Sequence, residues 1–226
     1  VAVKFNLNST MVATGDMSGV IIVWNVEDGK KIYEYEVGND LNWLLWHNTI
    51  DNVLLAGTHE TWMWRLSEIR PRCRTLQSFG CGNLVAELFR DGRRLAMGYE
   101  DGSIRVWNLE QNQLAITIRG NQAHHTTVTS LSLSLDDNLI ATGSADGVVK
   151  MINVKNQKVI TSFKLDDVIG GDDDEKKDNS IESLQFGGQN CLIIGSLDGR
   201  IQIWHVPSQT KRNQIELPRG VSKLLV

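Results

Sequence analysis

RLAMGYEDGSIRVWNL, residues 94–109, sets two short apolar strands around a Gly and a tight polar turn, and ends beside a Trp. The same frame returns as MVATGDMSGVIIVWNV at 11–26, NVLLAGTHETWMWRL at 52–66, LIATGSADGVVKMINV at 139–154 and CLIIGSLDGRIQIWHV at 191–206. Its anchoring glycines are Gly15, Gly57, Gly98, Gly143 and Gly195, spaced by 42, 41, 45 and 52 residues. A period of about 40–45 residues is the length of one four-stranded propeller blade.

The strand after each turn alternates. Ile21 and Val23, Ile104 and Val106, Val149 and Met151, Ile201 and Ile203 fall on one face, with Trp24, Trp107, Ile152 and Trp204 on the other. Apolar residues on both faces suit a sheet packed between two neighbours. Asp-Gly recurs at Asp101-Gly102, Asp146-Gly147 and Asp198-Gly199, which is hairpin chemistry because Gly tolerates positive φ. Ser18-Gly19 takes that place in the first repeat, and in the second the turn is two residues shorter. A further apolar pattern precedes each glycine: Val3 and Phe5, then Leu41, Leu44 and Trp46, then Ala86 and Leu88, then Val128, Leu131 and Leu133, then Ile181, Leu184 and Phe186. These runs are expected to be the innermost strands.

The expected fold class is therefore an all-β propeller of about five consecutive blades. Repeat units fall at about 1–40, 41–80, 81–120, 121–180 and 181–220, with the start of a sixth at 221–226 and an acidic insertion at 165–180. Both termini lie inside inner strands, so the reading expects a segment of a seven- or eight-bladed ring.

Composition narrows the function. A net charge of −4 argues against a mainly electrostatic nucleic-acid binder and suits a basic partner better. Cys73, Cys81 and Cys191 are scattered, with no C-x-x-C pair, which fits a reducing compartment and neither a disulfide framework nor a zinc site. No apolar run approaches the roughly 20 residues of a membrane span.

The G-[ST]-x-D-G turn and terminal Trp resemble WD repeats, although Asn25, Arg65, Asn108, Asn153 and His205 stand where Asp would follow the Trp. Against the family's His–Ser/Thr–Trp–Asp tetrad, His124 has the right distance before Val128 and Asp146 fits the turn aspartate. Ile152 replaces the Trp, so hydrophobic packing is expected to hold the blades more than tetrads do. VATGDMSG, NWLLWH, VLLAGT, TWMWRL, GYEDGSIRVWNL and NSIESLQF, in this order, resemble the angio-associated migratory cell protein family. That resemblance implies a mainly cytoplasmic, non-enzymatic protein–protein interaction scaffold linked to cell migration, signalling and angiogenesis. It also implies kinship with a fungal chaperone dedicated to a basic large-subunit ribosomal protein, which is the alternative function, in ribosome biogenesis.

Two candidate partner sites follow. Met17, His59, Glu100, Ala145 and Leu197 stand at equivalent places in the turns and are expected to ring the channel mouth. Asp172, Asp173, Asp174 and Glu175, in the insertion LDDVIGGDDDEKKDNS, are an electrostatic lure for a basic tail. The blander reading is an ordinary loop residue for each of the first set and a solvated loop for the second. GCGNLV at 80–85 lacks the third Gly of a dinucleotide turn and is followed by a strand pattern. Trp43, Trp46, Trp62 and Trp64 are expected to fill the core. The basic groups Arg70, Arg72 and Arg74, then Arg90, Arg93 and Arg94, read as solvent-facing. No catalytic, cofactor or metal site and no nucleic-acid partner is expected.

Overall fold

The computed structural model describes residues 2–38, 40–67, 69–77, 79–165, 178–188 and 190–224. Twenty strands form five four-stranded sheets, each a meander in chain order. The first holds β1 (Ala2–Phe5), β2 (Met11–Gly15), β3 (Val20–Asn25) and β4 (Lys31–Glu36), and the second β5 (Trp43–Trp46), β6 (Val53–Gly57), β7 (Thr61–Arg65) and β8 (Arg72–Leu76). The third runs β9 (Asn83–Leu88), β10 (Arg94–Tyr99), β11 (Ile104–Asn108) and β12 (Gln113–Ile118). The fourth comprises β13 (Val128–Leu133), β14 (Leu139–Ser144), β15 (Val148–Asn153) and β16 (Lys158–Lys164), and the fifth β17 (Ile181–Gly187), β18 (Cys191–Ser196), β19 (Arg200–His205) and β20 (Thr210–Glu216). These are the blades of a β-propeller. GCGNLV enters β9 at Asn83, so no helix follows it.

The chain divides into two compact units, Val1–Tyr99 with Val106–Ala115, and Glu100–Arg105 with Ile116–Val226. In the first unit Ala13, Ile21 and Val23 pack against Leu44, Trp46, Leu54, Ala56 and Trp64. The opposite face of the second sheet places Val53 and Leu55 against Leu95, Met97 and Trp107. All five residues of β6 are buried, as a strand sandwiched on both faces requires. Each buried Leu or Val there contributes on the order of 2 kcal/mol. In the second unit Ala141, Val149 and Met151 meet Ile181, Leu184, Phe186, Leu192 and Ile194.

Val3 and Phe5 are each 58% exposed, whereas Ala2 and Lys4 are half-buried. Lys4 pairs with Ala13, whose methyl faces the second sheet, so period-two geometry turns Val3 and Phe5 to the other face. No neighbouring sheet covers that face among the described residues of this unit. Residues 221–224 also form no strand; Val221 is buried, and the Leu224 N–H donates to Ser183 Oγ at 2.9 Å. Residues 225 and 226 lie outside the described set.

The three asparagines among the residues that replace the Asp after Trp close the next hairpin. Asn25 Oδ1 accepts from the Glu27 N–H at 2.8 Å, Asn108 Oδ1 from Gln111 at 2.9 Å and Asn153 Oδ1 from Lys155 at 3.0 Å. An amide oxygen makes the same Asx turn as a carboxylate without its charge. The chain leaving the fourth strand then lies against the turn between strands two and three. Val37 donates to Gly19 O at 3.0 Å, Leu165 to Gly147 O at 2.9 Å and Leu217 to Gly199 O at 2.8 Å. Gly199 is demanded twice over: its φ is +94°, and a Cβ there would sit 2.4 Å from Leu217 O.

Candidate partner-binding surface

Met17, His59, Glu100, Ala145 and Leu197 all occupy the turn between the second and third strands of their own sheets, and all are exposed. Met17 is 69% and Leu197 43% exposed, large apolar side chains held in water. In the first unit the Asp40 N–H donates to Met17 O at 3.0 Å, and Thr58 Oγ1 and O hold the Glu60 and Asn83 N–H groups beside His59. In the second unit Thr127 Oγ1 donates to Glu100 O at 3.3 Å, Ala145 N–H to Thr127 O at 3.0 Å and Leu197 N–H to Ser180 O at 2.9 Å. The turns of the first three sheets are thus tied to the linker that enters the next inner strand, and those of the fourth and fifth to the linker that enters their own. Asp172, Asp173, Asp174 and Glu175 lie outside the described residues.

Each tip is rigid because the residues beside it satisfy one another. Ser144 Oγ donates to Asp146, and Ser196 Oγ to Asp198, both at 2.5 Å. The first sheet swaps the two positions, with Ser18 Oγ donating back to Asp16 at 2.6 Å. In the third sheet Asp101 accepts the Ser103 N–H at 3.0 Å and the Arg105 guanidinium at 3.0 Å. Burial opposes the Asp198 carboxylate, but donors from Arg200 and Ser196 hold it below the usual carboxylate range. Burial likewise opposes Asp146, and the hydrogen bonds it accepts, that of Ser144 foremost, together hold it below the usual carboxylate range.

Behind the fourth sheet's turn lies a polar network. His124 Nε2 meets Thr142 Oγ1 at 2.8 Å, so two members of the tetrad are joined although Ile152 replaces the Trp. Lys150, 8% exposed, donates from Nζ to Ala123 O at 2.6 Å. Burial first, then the Lys150 charge, pushes His124 down to about 4 and so keeps it neutral. Burial lowers Lys150 as well. The first sheet retains another fragment of the tetrad, Trp24 Nε1 donating to Thr14 Oγ1 at 3.0 Å.

Sequence reading missed a set of buried polar residues two positions before the Trp site: Arg105, Lys150 and Gln202, between 1% and 8% exposed. The repeats themselves carry the signal, since Ile22 and Trp62 hold that position in the first two. Asn83 was missed too. Only 1% exposed, it accepts from Trp43 Nε1 at 2.7 Å and donates to Thr58 O at 2.8 Å. Among the described residues, no group of three or more His, Cys, Asp or Glu is placed to hold a metal ion, and no helix is long and apolar enough to cross a membrane.

Blades that end in such turns define a WD-repeat propeller, and the WD domain, G-beta repeat family matches residues 81–108 and 116–153. The chain belongs to the angio-associated migratory cell protein family within that class. It is 37% identical over 98% of its length to human angio-associated migratory cell protein and 36% identical to the dog protein. It spans 52% of each, about half the length of these curated relatives. The crystal structure of Saccharomyces cerevisiae Sqt1 superposes with a TM-score of 0.85 at 20% identity, covering 99% of this chain and 65% of that one, which is a likeness of fold.

Proposed function

We propose that the chain is a non-enzymatic scaffold that holds proteins on its hairpin turns. The observation that carries this reading is the set of exposed residues Met17, His59, Glu100, Ala145 and Leu197, each displayed on a turn whose polar groups are already bonded within the fold. Rigid display lowers the entropy lost when a partner docks, and function on such scaffolds sits in the loops. The family membership supports a role in cell migration and signalling, and the cytoplasm as the place of action. Affinity capture with the intact protein tests it. Reproducible partners lost when Met17→Asp and Leu197→Asp are combined support the reading; capture that yields no reproducible partner removes it.

A second reading, chaperoning of a basic ribosomal protein, draws on the net charge of −4 and the acidic run that includes Asp172, Asp173, Asp174 and Glu175. Its test is direct binding of basic ribosomal-protein tails over a salt series. Binding that weakens steeply with salt supports it, and no binding at low salt excludes it.

A further inference from the structure

Three of the basic residues that read as solvent-facing in the sequence, Arg72, Arg74 and Arg93, line one cavity of the first unit together with Arg65. Arg65 ends β7 and Arg72 begins β8, and the two are directly paired across the strands. Met63 pairs with Arg74 one step along the same face, because alternate residues of a strand share a face. Trp62, Trp64 and Cys73 occupy the opposite face, where Trp64 stacks on Tyr35. The arginine face forms one wall of a cavity of about 470 Å³, which Asp91, Gly92, Arg93, Leu109 and Glu110 also line. Ile50, Val53, Met63 and Leu109 give it an apolar floor.

Its charge is unbalanced. Arg93 pairs with Glu110 at 3.3 Å and Asp91 with Arg94 at 2.8 Å, which uses both rim carboxylates. Among the described residues no carboxylate pairs with Arg65, Arg72 or Arg74. Like charges directly opposed on a sheet are destabilising, so the Arg65–Arg72 pair costs the free protein stability. A ligand that brings negative charge relieves that repulsion. An arginine fork donates two parallel hydrogen bonds to a carboxylate, and the apolar floor offers burial to a hydrocarbon side chain. Asp91 and Glu110 on the same rim disfavour an evenly charged phosphate backbone.

We propose that the cavity lined by Arg65, Arg72 and Arg74 is a docking site for an acidic peptide segment that also carries an apolar side chain. None of the turns between second and third strands lines this cavity, so the site does not depend on what those turns bind. Its size falls within the range of pockets that bury most of a small ligand.

The test is fluorescence anisotropy on the whole chain with a labelled peptide of alternating glutamate and leucine. Controls are the same peptide with glutamine for glutamate, the same peptide with glycine for leucine, and a single-stranded oligonucleotide. The acidic-apolar peptide is expected to bind in a salt-dependent manner, and both control peptides about tenfold more weakly or less. Arg65→Glu and Arg72→Glu are each expected to reduce its affinity about tenfold or more, and Arg212→Glu on β20 to leave it unchanged. Circular dichroism shows whether each variant is folded, and Arg72→Gln is the milder replacement if a reversal is not. Without peptide, Arg72→Gln is expected to raise the Tm slightly by removing the cross-strand repulsion. Equal binding of the glutamine peptide, equal affinity in folded Arg65 and Arg72 variants, or arginine-dependent binding of the oligonucleotide in preference to the peptide would each overturn the proposal.

Discussion

At the Trp position of the second sheet stands Trp64, 4% exposed, stacked 4.9 Å from Tyr35 and 6.1 Å from Trp62. At the same position of the fourth sheet stands Ile152, fully buried, and the polar set His124, Thr142 and Lys150 lies nearby in sequence and structure. One repeat frame is thus stabilised by two chemistries. Aromatic faces give a large, weakly directional gain that does not titrate. A buried polar network is directional, and it holds only while each donor finds its acceptor and His124 stays neutral.

The largest break in this comparison is Trp64→Ala, which should cost roughly 3–5 kcal/mol by removing the centre of the aromatic stack, read as a shift of the urea midpoint. Next comes acid. His124 has a folded value of about 4 against an ordinary 6.5, so between those values the unfolded chain takes up a proton that the folded chain refuses. Stability from this group is complete above about pH 6.5 and falls by on the order of 3 kcal/mol as the pH drops to 4. Urea melts over that range should show the slope in the parent and a flatter one in His124→Gln; equal slopes would assign the acid sensitivity elsewhere. A smaller effect is expected of Thr142→Val, about 1–2 kcal/mol at neutral pH, because it leaves His124 Nε2 without its partner at 2.8 Å. Smallest of all is Tyr35→Phe. The Tyr35 hydroxyl is buried with no hydrogen-bond partner among the described residues, and burial pushes its pKa up to about 12. Its removal should leave the thermal midpoint unchanged or raise it by less than about 1 kcal/mol equivalent, which would show that the stack is held by its ring faces.

The blades were legible because strand alternation and turn glycines are local properties. Gly15, Gly57, Gly98, Gly143 and Gly195 each fall at or near the end of a second strand, and the turn tips named from their spacing are exposed. What escaped was facing. Val3 and Phe5 look like core residues, yet the register with Thr14 and Val12 turns them away from the second sheet. Conversely Arg105, Lys150 and Gln202 look like surface residues and are buried, because the chain supplies Asp101, Ala123 O and Gln214 as partners. Polarity predicts exposure only when no such partner is folded into reach.

By itself the sequence determined the class of protein: a period near that of one blade, hairpins set by Gly with Asp or Ser, and alternation on both faces, all of which act within a few residues. It also determined the kinship, through motifs held in order along the chain. Only the tertiary structure decided which polar groups are joined and which surfaces carry unbalanced charge. Arg65, Arg72 and Arg74 are unremarkable in a line of text. They become one site because strand pairing sets Arg65 against Arg72 while the first sheet takes the aromatic face and leaves the charged one over a cavity. Electrostatic energy depends on distance in space, and pairing register is what converts one into the other.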